Sequence, residues 1–132
     1  MSKRKRNLKG DSLKLLAARG WLAGDVEQWI PGTRITRDLW GLFDVLACHP
    51  EFGILGLQVT NSGNLGNHIS AALHGEGELN GRLAKCLRSG MRVEYWGWRP
   101  NGTILTRTLE LSACGGYVTA FDGSEIISEE ND

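Results

Sequence analysis

Asp44 and Gln58 are the two side chains whose setting in this sequence could support chemistry. Asp44 is the sole charge in the apolar run from Leu42 to Cys48, and Gln58 interrupts the apolar run from Gly53 to Thr60. An isolated carboxylate in an apolar strand costs free energy unless hydrogen-bond donors or a cation receive it. A structural salt bridge would meet this requirement, and so would a metal ion.

The turn between these two runs brings Asp44 and Gln58 together. Residues 48–53 are rich in turn-forming types, and a hairpin centred near Glu51 pairs residues whose numbers sum to about 102. This register places Asp44 opposite Gln58. Because side chains alternate along a strand, Thr60 lies on the same face as Gln58. The predicted site is therefore Asp44, Gln58 and Thr60.

Asp38 is a candidate fourth ligand of the same site. Asp38 is six residues before Asp44, so an unbroken strand would place both side chains on the same face. Gly41 lies between them and permits a bend or bulge, which decides whether Asp38 comes close to the site. Any metal held here would be bound by oxygen atoms, the ligands that Mg²⁺ prefers.

Two segments, RDLWGLFDVLA at 37–47 and GLQVT at 56–60, resemble the core of the PD-(D/E)XK nuclease superfamily. This superfamily includes Holliday junction resolvase-like and phage or prokaryotic nucleases, and the resemblance covers about residues 11–98. It implies a restriction-endonuclease-like α/β fold with α-β-β-β-α-β order, a Mg²⁺ or Mn²⁺ cofactor and a DNA partner.

The resemblance assigns a role to each residue of the predicted site. Asp44 becomes the metal-binding aspartate, Gln58 stands where the family's usual glutamate binds metal, and Thr60 stands where its lysine lies. A glutamine carbonyl can coordinate magnesium but brings no charge, and threonine cannot replace a cation that stabilises the transition state. The two substitutions leave both an active nuclease and an inactive binding protein open.

Further residues are implied by the same resemblance. Members with such a variant carry an arginine and a lysine on a later helix, matched here by Arg82 and Lys85, which lie one helical turn apart. Either could supply the missing cation, and a solvated helix face is the alternative. Glu27 is a candidate additional metal ligand or a surface glutamate. Arg34 and Arg37 lie before the motif, where they could hold DNA phosphate.

The elements that must position these residues follow the order α-β-β-β-α-β-β, which agrees with the α/β fold that the resemblance implies, a mixed central sheet flanked by helices. Trp96 and Trp98 share one strand face, where use in the core or in packing against a helix is favoured over base stacking. The predicted elements are a helix capped by Asp11 or Ser12 and stopped by Gly20, strands over 25–30, 42–48 and 53–60, helical pieces over 65–73 and 79–88, and strands over 91–98 and 103–112.

Composition bounds the function classes. The 132-residue chain is 41% hydrophobic with a net charge of zero, which suits one hydrophobic core. No apolar run approaches the roughly 18 residues of a membrane helix, so we expect a soluble domain with no membrane partner. The three cysteines form no C-x-x-C pair and the histidines show no paired spacing. This disfavours zinc and suits the reducing cytoplasm.

The charges concentrate at the two ends of the chain. We expect a basic flexible arm over residues 1–10, a single nuclease-like domain over 11–121 and an acidic tail over 122–132. The arm could grip DNA backbone, or both ends could be solubilising segments. The oligomeric state stays open, although resolution of a Holliday junction would need a homodimer to present two sites.

The sequence thus predicts a divalent-metal-dependent nuclease that cleaves DNA phosphodiester bonds, with Holliday junction resolvase-like selectivity as its narrower form. One alternative is a catalytically weak or inactive nucleic-acid-binding protein of the same fold. Another is a structural or protein-interaction domain in which Asp44 and Gln58 form an internal hydrogen bond.

Overall fold

The computed structural model describes residues 7–74 and 78–111, together with the backbone of residues 118–122 and 126–127. These residues form three helices and nine strands. They are α1 (Leu8–Ala18), β1 (Leu22–Asp25), β2 (Gln28–Trp29), β3 (Thr36–Arg37), β4 (Val45–His49), β5 (Gly53–Asn61), α2 (Leu65–His74), α3 (Leu79–Arg88), β6 (Arg92–Trp98), β7 (Thr103–Leu111), β8 (Val118–Asp122) and β9 (Ile126–Ile127).

One mixed sheet organises the fold, with strand order β1-β4-β5-β6-β7-β8 and with β9 also paired to β7. Neighbouring strands are antiparallel except β5 and β6, which are parallel because the chain crosses over through α2 and α3. The predicted α/β class with a mixed sheet between helices is confirmed. The predicted element order was wrong, because a separate β2-β3 ribbon follows β1, two helices form the crossover, and β8 and β9 follow β7.

The β4-β5 hairpin has the predicted register. Val45 pairs with Leu57 and His49 pairs with Gly53, as expected for a hairpin centred near Glu51. The strand β4 begins at Val45, so Leu42 and its neighbours belong to a loop. The apolar pattern continues across this loop because its residues are buried as well.

The two faces of β5 carry different side chains. Leu55 and Leu57 pack with α1 in one hydrophobic cluster. The alternate positions point to the opposite face, which α2 and α3 cover. On that face Gly56 allows close approach, because a Cβ atom at Gly56 would lie 2.8 Å from the ring of Phe43. The loop before β4 is thereby packed directly on β5.

The first helix starts earlier than predicted. Asn7 caps α1 by accepting a hydrogen bond from the Gly10 amide at 3.0 Å, whereas Asp11 and Ser12 are buried inside the helix. Ser12 Oγ accepts from Trp98 Nε1 at 2.8 Å. The predicted packing of Trp98 against a helix is confirmed. Lys9 lies in α1, so the helix takes up the end of the predicted flexible arm.

The predicted strand over 25–30 was wrong. The strand β1 ends at Asp25, whose Oδ1 accepts from the Glu27 amide at 2.9 Å and so turns the chain. Beyond this turn Gln28 and Trp29 pair with β3 in the separate ribbon. Glu27 therefore lies between two strands.

The elements predicted over 65–73, 79–88, 91–98 and 103–112 are confirmed as α2, α3, β6 and β7, with small shifts at their ends. No helix of the described chain has the length and apolar character needed to cross a membrane. Residues 1–6 of the predicted arm and the side chains of the predicted acidic tail lie outside the described residues. The backbone of β9 falls within that tail segment.

Candidate functional site

Asp44 occupies the point where a tight loop over residues 39–43 enters β4. Leu39 and Phe43 close this loop through their backbones, with the Leu39 amide donating to the Phe43 carbonyl at 2.8 Å. Asp44 is 7% exposed. Its Oδ1 accepts a hydrogen bond from the Val59 amide at 3.1 Å, so the carboxylate lies against β5 as the hairpin register requires.

The electrostatic setting of Asp44 is unfavourable for its charge. Burial and the nearby charge of Asp38 raise the pKa of Asp44 to about 7, while the bond from Val59 acts in the opposite direction. The more distant charge of Glu27 adds to the increase. A cation placed between these carboxylates would return the pKa toward its usual range.

Gln58 lies beside Asp44 on β5 and is buried. Its Nε2 donates to Asp38 Oδ2 at 2.7 Å and to the Leu42 carbonyl at 3.2 Å. The amide therefore fixes Asp38 and the 39–43 loop. If the chain were a structural or protein-interaction domain, we expected Gln58 to form an internal hydrogen bond with Asp44. Instead, its N–H groups donate to Asp38 and to the Leu42 carbonyl. Asp38, the candidate fourth ligand, is brought to the site.

Glu27 joins these residues through Asp38. Burial raises the pKa of Asp38, and a hydrogen bond shared with Glu27 raises it further against the effect of Gln58. The pKa of Glu27 is lowered, chiefly by its hydrogen bond from Lys9. We call Glu27, Asp38, Asp44 and Gln58 the acidic cluster.

Lys9 is the cation at the outer end of the acidic cluster. Its Nζ lies 2.7 Å from Glu27 Oε1 and 2.9 Å from Asp25 Oδ2. Sequence reasoning placed Lys9 in a flexible arm and missed this role. The available signal was Asn7, a good helix cap that would start α1 before Lys9.

The acidic cluster could bind a metal through mixed oxygen donors. Among the residues that the structure describes, no three His, Cys, Asp or Glu side chains are already arranged to hold a metal ion. A metal would therefore need an amide or backbone oxygen besides the carboxylates of Asp38 and Asp44. The loop carbonyls and Gln58 are donors of this kind.

Two residues lie near the cluster on the sheet. Thr60 is buried on the same face of β5 as Gln58, and it brings a hydroxyl without charge. Tyr95 on β6 pairs with Gln58 in the parallel register. Burial and the charges of Asp38 and Asp44 raise the pKa of Tyr95 above its usual range. The sequence analysis missed Tyr95, because it predicted a strand over 91–98 without identifying β5 as its parallel neighbour.

The predicted cations lie on two surfaces. Arg82 on α3 donates through Nη1 to the Trp40 carbonyl at 3.1 Å and pairs with Glu78 at 3.4 Å. Its contact with Trp40 brings Arg82 to the loop between Asp38 and Asp44. Lys85 is exposed on α3, and Arg34 and Arg37 are exposed near or in the β2-β3 ribbon. Roles in catalysis or DNA binding stay predictions for all four.

No family of known proteins, no curated protein and no solved structure matches this chain. The resemblance to PD-(D/E)XK nucleases therefore stays a prediction from two sequence segments. The geometry brings Asp38, Asp44 and Gln58 together, and Glu27 raises the pKa of Asp38.

Proposed function

We propose that this chain is a divalent-metal-dependent nuclease that cleaves DNA phosphodiester bonds, with Mg²⁺ or Mn²⁺ held by the acidic cluster. The observation that carries the proposal is the burial of Asp44 close to a second carboxylate, Asp38. Like charges in a buried setting are costly to ionise together, and a bound cation removes this cost. The site is therefore better suited to a metal-bound state than to an empty, ionised one.

The chemistry of the donor set fits a hard cation. Asp38 and Asp44 would be the charged ligands. Glu27, which lies further from the ion than Asp38, would contribute an additional negative charge to balance the charge of the metal. Gln58 orients Asp38 through Nε2, and a flip of its amide group would turn the carbonyl oxygen toward the ion. Oxygen donors of this kind are those that Mg²⁺ and Mn²⁺ select.

The topology supports a restriction-endonuclease-like core. After α1, the strands β1, β4 and β5 form an antiparallel series, and a helical crossover returns the chain to β6 parallel to β5. If the β2-β3 ribbon is left aside and α2 and α3 are counted as one crossover, this series would correspond to the α-β-β-β-α-β order that the resemblance implies, whereas the full element order differs. The β2-β3 ribbon would be an insertion between its first and second strands, and β7 to β9 an extension beyond the fourth.

Each side chain would have a limited task in the reaction. A bound Mg²⁺ or Mn²⁺ supplies polarisation of the phosphate and activation of water. Asp38 and Asp44 hold the ion in place, and the Thr60 hydroxyl orients the attacking water or a phosphate oxygen. Arg82 or Lys85 would balance the negative charge that gathers in the transition state.

A second candidate, a nucleic-acid-binding protein without turnover, is favoured by one observation. The Gln58 amide already satisfies Asp38 and the Leu42 carbonyl with two hydrogen bonds. A site completed by hydrogen bonds needs no metal for stability once Asp44 is protonated. This candidate predicts DNA binding that manganese does not change.

Manganese titration separates the two candidates. We expect the parent protein to bind Mn²⁺ in calorimetry and to cleave DNA when Mn²⁺ or Mg²⁺ is added, whereas Asp44→Asn and Asp38→Asn lose both properties. The control is Glu51→Gln, because Glu51 is an exposed carboxylate in the turn of the β4-β5 hairpin, outside the acidic cluster. Parent protein that binds DNA without binding Mn²⁺ would reject the nuclease and favour the second candidate.

A further inference from the structure

A cavity of about 370 Å³ opens beside the loop that joins Asp38 to Asp44. We call it the Trp40 cavity. Its wall combines one indole, two cations and small or apolar side chains: Trp40, Arg82, Lys85, Cys86, Ser89 and Met91. Its volume lies within the roughly 300–1,000 Å³ typical of small-ligand sites.

Trp40 combines an exposed side chain with an unusual backbone conformation. Its side chain is 49% exposed, and its backbone has a φ of 57°, which is rare for a bulky residue. The loop enforces this conformation through the Leu39–Phe43 backbone bridge and the edge-on contact of Trp40 with Phe43, whose ring centroids are 6.2 Å apart. Strained residues held in this way concentrate at binding sites. An exposed indole held in a fixed place is suited to stacking.

The charge beside this indole is positive. Arg82 donates to the Trp40 carbonyl at 3.1 Å, and Lys85 lies one turn further along α3 and lines the same cavity. An aromatic face next to two cations matches a nucleotide, whose base stacks and whose phosphate binds the cations. An apolar peptide would leave Lys85 without a counter-charge, whereas Arg82 already pairs with Glu78.

We propose that the Trp40 cavity binds an unpaired nucleobase, so that the substrate class is single-stranded DNA or DNA with an unpaired or flipped nucleotide. In a continuous duplex, neighbouring bases cover both faces of each base and leave none for the indole. Asp38 and Asp44 flank Trp40 in one loop, so the phosphate next to a stacked base would lie toward the acidic cluster. This last step rests on the proposed function, but the stacking does not.

The test is DNA binding by the full chain in EDTA, where cleavage cannot occur. Fluorescence anisotropy would compare a labelled oligothymidylate strand, a duplex of equal length and a strand of equal length made of abasic sites. We expect the parent protein to bind the thymidylate strand best. Trp40→Leu should weaken this binding about tenfold or more, the loss of one stacked base, whereas Trp40→Phe should retain most of it.

The control is Trp29→Leu, because Trp29 is 55% exposed on β2 and does not line the cavity. It should bind the thymidylate strand like the parent. Lys85→Met should reduce the salt dependence of binding by about one phosphate contact. Thermal melting checks that each variant is folded. If Trp40→Leu does not fold, the comparison of the thymidylate and abasic strands on the parent protein keeps the test decisive.

Two results would overturn the inference: equal binding of thymidylate and abasic strands by the parent, or unchanged thymidylate binding when Trp40 is replaced by leucine. Its failure can be told from failure of the proposed function. Trp40-dependent binding without any metal-dependent cleavage supports the cavity and rejects the nuclease. Metal-dependent cleavage that is the same in the parent and in Trp40→Leu supports the nuclease and rejects the cavity.

Discussion

Replacing Asp44 by asparagine should stabilise the protein while abolishing its metal chemistry. The pKa of Asp44 is about 7 in the folded protein against a usual 3.8. At about 1.4 kcal/mol per pKa unit, this difference corresponds to a cost of about 4 kcal/mol at pH 8. Asparagine has nearly the same shape and keeps an oxygen for the Val59 amide, so it removes the charge without emptying the space.

The gain in stability should depend on pH with a defined sign. Between about pH 4 and pH 7 the folded protein binds the Asp44 proton and the unfolded chain does not, so the contribution of Asp44 to stability falls as pH rises through this window. The asparagine variant has no ionisable group at this position, so its stability does not fall in this way as the pH rises. Its advantage in unfolding free energy should be about 4 kcal/mol at pH 8 and about 2 kcal/mol at pH 5.

Urea unfolding at the two pH values measures this advantage. Asp25→Asn is the control of opposite sign. Burial, the largest single effect, raises the pKa of Asp25, but the hydrogen bonds from Lys9 and the Glu27 amide together with the Lys9 charge lower it overall, so losing the Asp25 charge should destabilise the protein above about pH 4. At pH 8, Mn²⁺ should raise the melting temperature of the parent and leave Asp44→Asn unchanged. A variant that is no more stable at pH 8 than the parent would show that the Asp44 carboxylate bears no penalty.

The remaining predictions concern the cations around the site. Thr60→Lys should increase metal-dependent cleavage, measured on labelled DNA, because it places a cation on the face of Gln58. Lys85→Met should decrease cleavage while the protein stays folded. If cleavage decreases equally at low and at high salt, Lys85 does not contact a phosphate. Lys9→Met should destabilise the protein by about 1 kcal/mol in urea at pH 7 and by less as the pH falls through the lowered pKa of Glu27. Deletion of residues 1–6 should flatten the salt dependence of DNA binding without altering Mn²⁺ affinity, and an unchanged slope would leave those residues no part in binding.

The hairpin that carries Asp44 and Gln58 could be predicted because its signals are local. Two apolar runs flank a short turn, and the centre of that turn fixes which residues face each other. The side-chain period then determines that Thr60 lies with Gln58. The prediction needed no knowledge of distant parts of the chain.

The outer half of the acidic cluster could not be predicted in this way. Glu27 takes its place because the Asp25 side chain ends β1 and the chain then enters a ribbon of two residue pairs, which is too short to leave a periodic pattern. Lys9 stands among other cations in the sequence, and only the packing of α1 near β1 brings it to Glu27. Both contacts depend on tertiary structure. Hydrophobic periodicity does not encode them.

Gln58 connects the stability of the empty site with its proposed chemistry. A glutamate at this position would place a third carboxylate against Asp38 and would remove the N–H groups that serve Asp38 and the Leu42 carbonyl. The site would then fold well only with a metal bound. With glutamine, the loop of Asp38 is held without metal, and Asp44 can take up a proton near neutral pH. Under the proposed function the metal competes with that one proton, so Mn²⁺ affinity should rise about tenfold per pH unit below pH 7 and level off above it.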